Sequence, residues 1–343
     1  MAAKAPAEDT TAVTRTYTFE ELKDQIEPIR TRIRNMIRAL SGYFVDKAEI
    51  VELMAVATLA QEPLLLVGRP GTAKSDLVVR FCQALGVGGN EYFEYMLTKF
   101  TEPSEIVGPI DINRLKDGRY MRRTNGKLPE ATVVFLDEIF KSNSAILNTL
   151  LTIINERKFY QDGKPVPVAM KMLFAATNEI PEFSELDALK DRFILKVESR
   201  SVKDRYFDEL LDAGISGEVY RAFNRRPWAD LCSLEDFVKA KAYLDHIMRQ
   251  GATQAEGNDR QKYFPPENYS LFKRILKTLE KEDGVEVSDR KVVKLYRLLR
   301  ARAFLFHGGV VQKSDLVLLR YIPNRIQDIQ IIRERVDRLL KID

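Results

Sequence analysis

The sequence predicts an α/β fold in which helices cover both faces of a parallel β-sheet, followed by an all-helical unit. Short, continuous apolar runs are typical of buried parallel strands, and helical patterns alternate with them, as in sheets covered on both faces. The runs are LLLV (64–67), TVVFLD (132–137), MLFAAT (172–177) and ILKVE (194–198). After Arg200 such runs disappear. We therefore expect a disordered tail over 1–16, a sheet unit over 17–199 and a helical unit over 200–343.

Amphipathic helices precede and follow the first apolar run. Apolar residues recur at helical spacing from Phe19 to Leu40, which predicts a helix that can break at Pro28. AEIVELMAVATLAQ (48–61) predicts a second, more buried helix. DLVVRFCQALG (76–86) predicts a helix that ends at Gly86.

The region after Arg200 consists of helical patterns around one polar loop, GATQAEGNDRQ (251–261). The patterns are VKDRYFDELLDAG, LEDFVKAKAYLDHIMRQ, YSLFKRILKTLEKE, DRKVVKLYRLLRARAFLF, SDLVLLRYI and IQDIQIIRERVDRLLKID, the last of which closes the chain as an amphipathic helix.

Two hairpins are predicted within the sheet unit. NRLKDGRYMRR (113–123) and ERKFYQDGKPVPVAMKM (156–172) each place Asp-Gly between short alternating runs. Asp-Gly favours the tight hairpin turn because both residues tolerate positive φ.

Composition excludes several classes of protein. The 343 residues carry 54 basic and 50 acidic groups, so a net charge of +4 does not select nucleic acid as a partner. Cys82 and Cys232 cannot form a disulfide framework and lack metal-ligand spacing, which favours a reducing, cytoplasmic setting. The polar start predicts no signal peptide, and no apolar run is long enough to span a membrane.

The stretch GRPGTAKS (68–75) lies between a strand-like run and a helix-like run. A phosphate-binding loop needs inward backbone amides, tight glycine bends, a following helix, a lysine and a hydroxyl for Mg²⁺. Gly68, Gly71, Lys74 and Ser75 supply these, although the last glycine of the usual pattern is Ala73. The alternative is an ordinary turn that contains a lysine.

Polar side chains end the next two predicted strands. Asp137 and Glu138 follow VVFL, at the sheet edge where parallel sheets bind ligands. Asp137 would hold Mg²⁺ through water, and Glu138 would orient and polarise the attacking water. The alternative is two acids that end a surface strand. Asn178 ends FAAT and would fix that water without adding charge, or would cap the following turn.

Two arginines complete the candidate set. Arg192 ends a predicted helix just before an apolar strand, where it could neutralise phosphoryl charge across a subunit boundary or pair with Asp187 or Asp191. Arg290 lies in the first turn of a helix that Ser288 is expected to cap. A cation is unfavourable at the positive helix end, so Arg290 calls for an anion, either nucleotide phosphate or a nearby carboxylate.

The order of these motifs resembles that of AAA+ ATPases, and more closely that of the MoxR family and its RavA branch. The resemblance extends from about Tyr17 to about Leu340. Its most specific parts are TEPSEIVGPI (101–110), GRYMRRTNGKLPEATVVFLDEIFK (118–141), ILNTLLTIINERKF (146–159) and SDRKVVKLYRLLRARAFL (288–305). It implies an AAA+ core with a helical lid. RavA-type proteins carry a further domain after the lid, whose function is not carried over to this chain.

The resemblance also implies site roles. GRPGTAKS is similar to a Walker A motif, in which the family tolerates alanine at position 73. Lys74 and Glu138 would be catalytic, with Asn178 as sensor 1, Arg192 as arginine finger and Arg290 as sensor 2, while Ser75 and Asp137 would bind Mg²⁺. The stretch 108–130 resembles the helix-2 insert and 156–172 the pre-sensor hairpin. The expected nucleotide-binding residues are Gly68, Pro70, Gly71, Thr72, Ala73, Lys74, Ser75 and Asp76.

The resemblance further implies ATP hydrolysis with Mg²⁺ between the sheet unit and the lid, at a subunit boundary of a homo-oligomeric ring, usually of six. Arg192 would act on a neighbour's nucleotide. ATP turnover would remodel a protein client beside a partner with a von Willebrand A domain. One alternative is a nucleic-acid motor that uses Arg119, Arg122, Arg123 and Lys127, although basic hairpin residues usually form only a solvated face. A second alternative is a non-catalytic, nucleotide-gated scaffold, which the filled hydrolysis positions disfavour.

Overall fold

A computed structural model describes residues 16–223, 225–253 and 260–342 of the chain. Five strands form its main sheet: β1 (Leu64–Val67), β2 (Tyr92–Met96), β3 (Val133–Asp137), β6 (Met172–Thr177) and β7 (Leu195–Glu198). Their order is β2-β3-β6-β1-β7, and all neighbours run parallel. Leu64 lies in register with Phe174 on one side and Leu195 on the other. The predicted parallel sheet is confirmed, and each of its predicted strands is present.

The strand β2 is the one that the apolar pattern missed. Its residues YFEYM alternate, with Phe93 buried and Glu94 exposed. β2 lies at one edge of the sheet, next to β3, in the part of the chain that the structure describes. Because an edge strand is covered less completely than a central one, it needs no continuous apolar run, and Glu94 conceals it from a search for such runs.

Helices occupy most of the remaining chain. They are α1 (Phe19–Lys23), α2 (Ile26–Tyr43), α3 (Ala48–Ala60), α4 (Lys74–Ala84), α5 (Pro103–Val107), α6 (Ile112–Lys116), α7 (Ser144–Glu156), α8 (Asp187–Lys190), α9 (Phe207–Ala222), α10 (Leu234–Thr253), α11 (Arg260–Tyr263), α12 (Pro266–Asp283), α13 (Asp289–His307) and α14 (Ile326–Leu340). The segment Lys313–Tyr321, predicted as an ordinary helix, is a 3₁₀ helix.

The helix predicted over 19–40 breaks before Pro28, not at it. α1 ends at Lys23, and Pro28 lies in the first turn of α2. Backbone N–H groups in the first turn have no acceptor within the helix, so the N–H that proline lacks is not needed there. The predicted tail over 1–16 lies outside the described residues except for its last position. The polar loop predicted over 251–261 is partly helical at both ends, and residues 254–259 also lie outside the described part.

One predicted hairpin is confirmed and the other is wrong. β4 (Lys158–Gln161) and β5 (Lys164–Pro167) form an antiparallel hairpin in which Asp162 and Gly163 both have positive φ. The stretch 113–123 instead begins in α6, because the Asp111 carboxylate accepts hydrogen bonds from the amides of Asn113 and Arg114 and caps a helix there. Only the isolated bridge Ile110–Arg122 remains of the predicted pairing in this stretch.

The core explains why the central strands are apolar on both sides. Leu64 and Leu66 pack into a cluster with α2, α3 and α4, whereas Leu65 and Val67 face a second cluster that includes α7. The first cluster continues into the helical unit through residues such as Leu295 of α13. The sheet and the helices that follow it therefore share one apolar core. In the described ranges no helix has the length and apolar character to cross a bilayer.

Candidate active site

The loop 68–75 joins β1 to α4 and leaves a row of backbone amides free. Ala73 adopts the left-handed conformation, with φ 65° and ψ 18°. A Cβ added to Gly68 would lie 2.3 Å from the Ser199 carbonyl oxygen, so the close approach of the chain there requires glycine. The amides of residues 71–76 donate no hydrogen bond within the described chain. They lie at the positive end of α4, where an anion is stabilised.

Lys74 is the cation of this loop. Its side chain is buried, and its ammonium donates to the carbonyls of Gly68 and Arg69 and, at 3.1 Å, to the Asn178 amide oxygen. Burial lowers the pKa of Lys74, while Asp137 and Glu138 act to raise it. Lys74 forms no ion pair with any described residue, so its buried ammonium is available to bind a further anion.

The side chains of Asp137 and Glu138, at the end of β3, point in different directions. The Ser75 hydroxyl donates to Asp137 Oδ2 at 3.3 Å, and the Glu138 amide donates to Asp137 Oδ1 at 2.8 Å. Glu138 has φ 53° and ψ 42°, a conformation that costs a non-glycine residue energy and that is concentrated at functional sites. Asp137 thus faces the loop hydroxyl, while the turn at Glu138 directs its carboxylate elsewhere.

Asn178 connects the lysine to the glutamate. Its amide nitrogen donates to Glu138 Oε1, and its amide oxygen accepts from Lys74. The side chain therefore does not cap the next turn, which was the alternative. Glu138 Oε2 is buried and has no hydrogen-bond partner in the described chain. An orphaned carboxylate oxygen is costly unless a water or ligand satisfies it.

Arg192 and Arg290 lie together and apart from this cluster. They line a cavity of about 70 Å³ with Asp191, Glu286, Lys291 and Lys294. The Arg192 guanidinium makes no ion pair in the described chain, because Asp187 pairs with Lys190 and Asp191 accepts from Asn324. Burial, and then the charge of Arg290, lowers the pKa of Arg192. The alternative pairing of Arg192 with Asp187 or Asp191 is thus wrong.

Arg290 likewise forms no ion pair with a carboxylate in the part of the chain that the structure describes. Ser288 caps α13 as predicted, accepting from the Lys291 amide, and Arg290 contacts the Asn155 amide oxygen at 3.5 Å. Arg192 lies just before β7, whose first residue, Leu195, pairs with Leu64 at the start of β1. The phosphate loop instead follows Val67, at the end of β1. Strands of four residues, at a rise of about 3.3 Å each, separate those edges by at least about 10 Å. Arg290, which shares a cavity with Arg192, therefore lies with it at the edge opposite the phosphate loop of its own chain.

Two further residues at the site escaped the sequence reasoning. The Lys141 ammonium lies 3.2 Å from Glu138 Oε1, a contact that i,i+3 spacing could have signalled. The Ser199 hydroxyl donates to the Thr72 carbonyl at 2.6 Å and holds the loop. Ser199 follows β7 at the same sheet edge as Asp137, so the edge rule that found Asp137 also applies to it.

The residues present fit a magnesium-bound nucleoside triphosphate. The free amides at 71–76 suit phosphate oxygens, and the Ser75 hydroxyl and Asp137 carboxylate are the hard oxygen donors that Mg²⁺ prefers. The orphaned Glu138 Oε2 suits a water beside the phosphate. Lys74 supplies the compact charge that such phosphate sites use.

Comparison with known proteins agrees with this geometry. Residues 31–235 match a family model described as the MoxR domain in the MoxR-vWA-beta-propeller ternary systems. Residues 269–336 match a model of an AAA lid domain. These matches cover the sheet with its phosphate loop and the helices that carry Arg290.

Similar proteins point the same way. An uncharacterised protein of Methanocaldococcus jannaschii is 33% identical over 288 residues, which are 82% of this chain and 69% of that protein. The Chaperone MoxR1 of Mycobacterium tuberculosis is 27% identical over 178 residues, 50% of this chain and 46% of its own length. The crystal structure of a proposed ATPase from Cytophaga hutchinsonii shares the fold, with a TM-score of 0.66 at 15% identity over 94% of this chain and 97% of that one. The predicted AAA+ core with a helical lid is thereby confirmed, and the chain belongs to the MoxR family of AAA+ ATPases.

Proposed function

We propose that the protein hydrolyses ATP with Mg²⁺ at the boundary between copies of this chain. The observation that carries the proposal is the linkage Lys74–Asn178–Glu138, which leaves one Glu138 oxygen buried and without a partner. A structural cluster would satisfy that oxygen, because an unsatisfied buried acceptor destabilises the fold. A hydrolytic site needs it free for the attacking water.

The residues of the cluster have separate roles in this proposal. The loop amides and Lys74 bind the β and γ phosphates, and Ser75 and Asp137 hold the metal. Mg²⁺, when bound, neutralises charge on the phosphate oxygens. Glu138 orients and polarises the water, and Asn178 fixes the Glu138 carboxylate relative to Lys74 without adding charge.

The arginines are proposed to serve a neighbouring copy. Arg192 and Arg290 share a cavity, form no ion pair with a carboxylate among the described residues, and lie at the sheet edge opposite the phosphate loop. Both would enter the adjoining subunit's site together and stabilise charge that develops on the transferred phosphoryl. A contact of one face with a different face repeats head to tail and either closes as a ring or continues as a helix. We propose a ring of six copies.

The use of the energy is proposed from the family. The matched model is named for systems that contain a von Willebrand A component, so we propose a partner with that domain and a protein client. We also propose that the protein belongs to the RavA branch and acts in the cytoplasm.

We further propose that the chain is divided into an AAA+ unit at 17–199 and a lid at 200–343. The insert 108–130 contacts the hairpin 156–172: the Tyr120 carbonyl oxygen accepts a hydrogen bond from the Asp162 amide at 2.8 Å. The two elements would move together.

The basic insert does not favour nucleic acid. Arg122 donates to the Gly108 carbonyl, Arg123 pairs with Asp111, and Lys127 donates to the Glu105 carbonyl. Three of the four candidate phosphate contacts are thus occupied by the chain itself. Salt-sensitive stimulation of ATP turnover by DNA or RNA would reverse this view.

The test is the Glu138→Gln variant. Glutamine keeps the shape of the side chain but cannot act as a base, so we expect ATP binding to persist while turnover falls at least about 10²-fold. Binding is measured with a fluorescent ATP analogue and turnover by phosphate release. Wild-type turnover in this variant would remove Glu138 from the chemistry and overturn the proposal.

A further inference from the structure

Two lysines are buried behind the arginine pair and form no ion pair with a described carboxylate. Lys196 of β7 is fully buried, and its ammonium donates to the Phe193 carbonyl at 2.6 Å and to Asn324 Oδ1 at 2.9 Å. Lys291 of α13 donates to the carbonyls of Glu286 and Ile322. The charge of Asp191 favours the charged form of both lysines, but neither forms an ion pair with it in the described structure. Burying a cation without a direct ion pair is unfavourable, so Lys196 beside Lys291 calls for a role other than stability.

Asn324 links both sides of Arg192. Its amide oxygen accepts from Lys196, which also holds the Phe193 carbonyl, and its amide nitrogen donates to the Asp191 carboxylate at 3.3 Å. The residues immediately before and after Arg192 are therefore tied to one residue of the helical unit. This leaves the Arg192 side chain free while its backbone is fixed.

The same segment also holds the helix of Arg290. The Ile322 carbonyl, two residues before Asn324, accepts from Lys291, which follows Arg290 in α13. Residues 322–324 thus touch the turn that carries Arg192 and the helix that carries Arg290. These contacts fix the distance between the two arginines, although they lie far apart in the sequence.

We propose that Lys196 and Asn324 are positioning residues that fix Arg192 relative to Arg290, so that both guanidiniums reach the neighbouring copy's phosphates together. This inference rests on the proposed function. Charge stabilisation in a transition state requires donors held within about 0.5 Å of their productive place. Arginine side chains are long, so the precision must come from a fixed backbone. Neither Lys196 nor Asn324 is part of the proposed nucleotide-binding cluster around Lys74.

The experiment compares Lys196→Met with Lys171→Met. Methionine removes the amino group while keeping an unbranched side chain. Lys171 is a matched control because burial lowers its pKa too, and it lies outside both site clusters. We expect Lys196→Met to lower kcat at least tenfold with KM for ATP within twofold of wild type and with an unchanged or higher Tm. Lys171→Met should keep kcat within twofold. A kcat within twofold of wild type for Lys196→Met overturns the inference.

Mixed oligomers give a readout that a purely structural role would not move. Lys196→Met subunits keep an intact phosphate loop but misplace the arginines. Mixing them with Lys74→Ala subunits should raise turnover above that of either variant alone, whereas mixing them with Arg192→Ala subunits should not. The reverse pattern overturns the inference, because it would place Lys196 in its own chain's nucleotide site.

Two controls separate the possible failures. Asn324→Ala, at a partly exposed position, should show the same pattern and serves if Lys196→Met does not fold. The reference mixture of Arg192→Ala with Lys74→Ala should regain turnover. If the reference mixture fails, the shared site falls and this inference with it. If it succeeds while both positioning variants behave as wild type, only this inference falls.

Discussion

The Asn178 amide donates a hydrogen bond to Glu138 Oε1 and leaves Glu138 Oε2 without a partner in the described chain. Glu138 Oε1 is thus held by the Asn178 amide and by the Lys141 ammonium at 3.2 Å, while Oε2 is left for another group. The Lys141 side chain is largely exposed, whereas Asn178 also accepts from the buried Lys74. The amide therefore fixes the direction of the Glu138 carboxylate relative to the phosphate loop.

Replacing Asn178 should therefore impair turnover more than binding. We expect Asn178→Ala to lower kcat by roughly 10²-fold, because Glu138 loses the donor that orients it, with little change in ATP affinity. Asn178→Asp should be no better, since a carboxylate cannot donate to Glu138. The exposed Asn148→Ala in α7 is the control. Normal kcat for Asn178→Ala would show that the Asn178–Glu138 bond has no catalytic role.

Arg192→Ala should abolish turnover by acting on the neighbouring site. We expect a loss on the order of 10³-fold with binding retained, the range known for arginine fingers. Mixing Arg192→Ala with Lys74→Ala subunits should restore activity, because some boundaries then combine an intact loop with an intact arginine. Phosphate release is measured across mixing ratios. The absence of recovery at every ratio would argue against sites shared between subunits.

Arg290→Ala should fall into the same class as Arg192→Ala. The two side chains line one cavity, so both are offered from the same copy. Arg290→Ala should recover turnover with Lys74→Ala and should not recover it with Arg192→Ala. The opposite result would mean that Arg290 serves the nucleotide bound by its own chain, and that the lid moves to the phosphate loop during turnover.

Ala73→Gly should stabilise the fold slightly. Ala73 has φ 65°, which costs an L-residue about 1 kcal/mol or more, whereas glycine loses more conformational freedom on folding, by roughly 0.5–1 kcal/mol. The expected net gain is up to about 1 kcal/mol, read as a higher midpoint of thermal unfolding. Ala57→Gly, in the interior of α3, should lower that midpoint and provides the control. A lower midpoint for Ala73→Gly would contradict the left-handed conformation.

Lys196 should leave a signature in the pH dependence of stability. Burial, and then the charge of Lys291, lowers the pKa of Lys196 well below 10.5. Between that lowered pKa and 10.5 the unfolded chain binds more protons at this site, so stability rises with pH. Lys196→Met removes this contribution. The unfolding free energy of wild type minus that of the variant should therefore increase with pH through this window, as followed by urea unfolding; a constant difference would contradict the lowered pKa.

The sequence allowed the parallel strands and the phosphate-loop cluster to be predicted for one physical reason. Residues such as Lys74, Asp137 and Asn178 each follow a buried strand, and parallel strands deliver their carboxyl ends to one edge. Residues that follow different strands therefore lie close together in the fold, although they are far apart in the sequence. β2 was not predicted, for a different reason. An edge strand need not be apolar throughout, so the exposed Glu94 interrupts the apolar run that would have revealed it.

The place of Arg290 could not be predicted in the same way. It depends on where α13 packs against the sheet, which is set by contacts such as those of Lys291 with Ile322 and of Lys196 with Asn324. Those pairs are distant in sequence and have no local pattern. The hairpin predicted over 113–123 was wrong for a local reason: the Asp111 side chain caps a helix there, and this outweighs the Asp-Gly turn signal.

The apolar core that runs from β1 into α13 has a mechanical consequence. Close-packed interiors resist shear, so the sheet and the helices behind it are expected to travel as one stiff body. In the proposed ring, any motion driven by nucleotide would then be hinged where one subunit meets the next. The motion would belong to the assembly, and an isolated subunit, however well folded, would have no neighbour to move against.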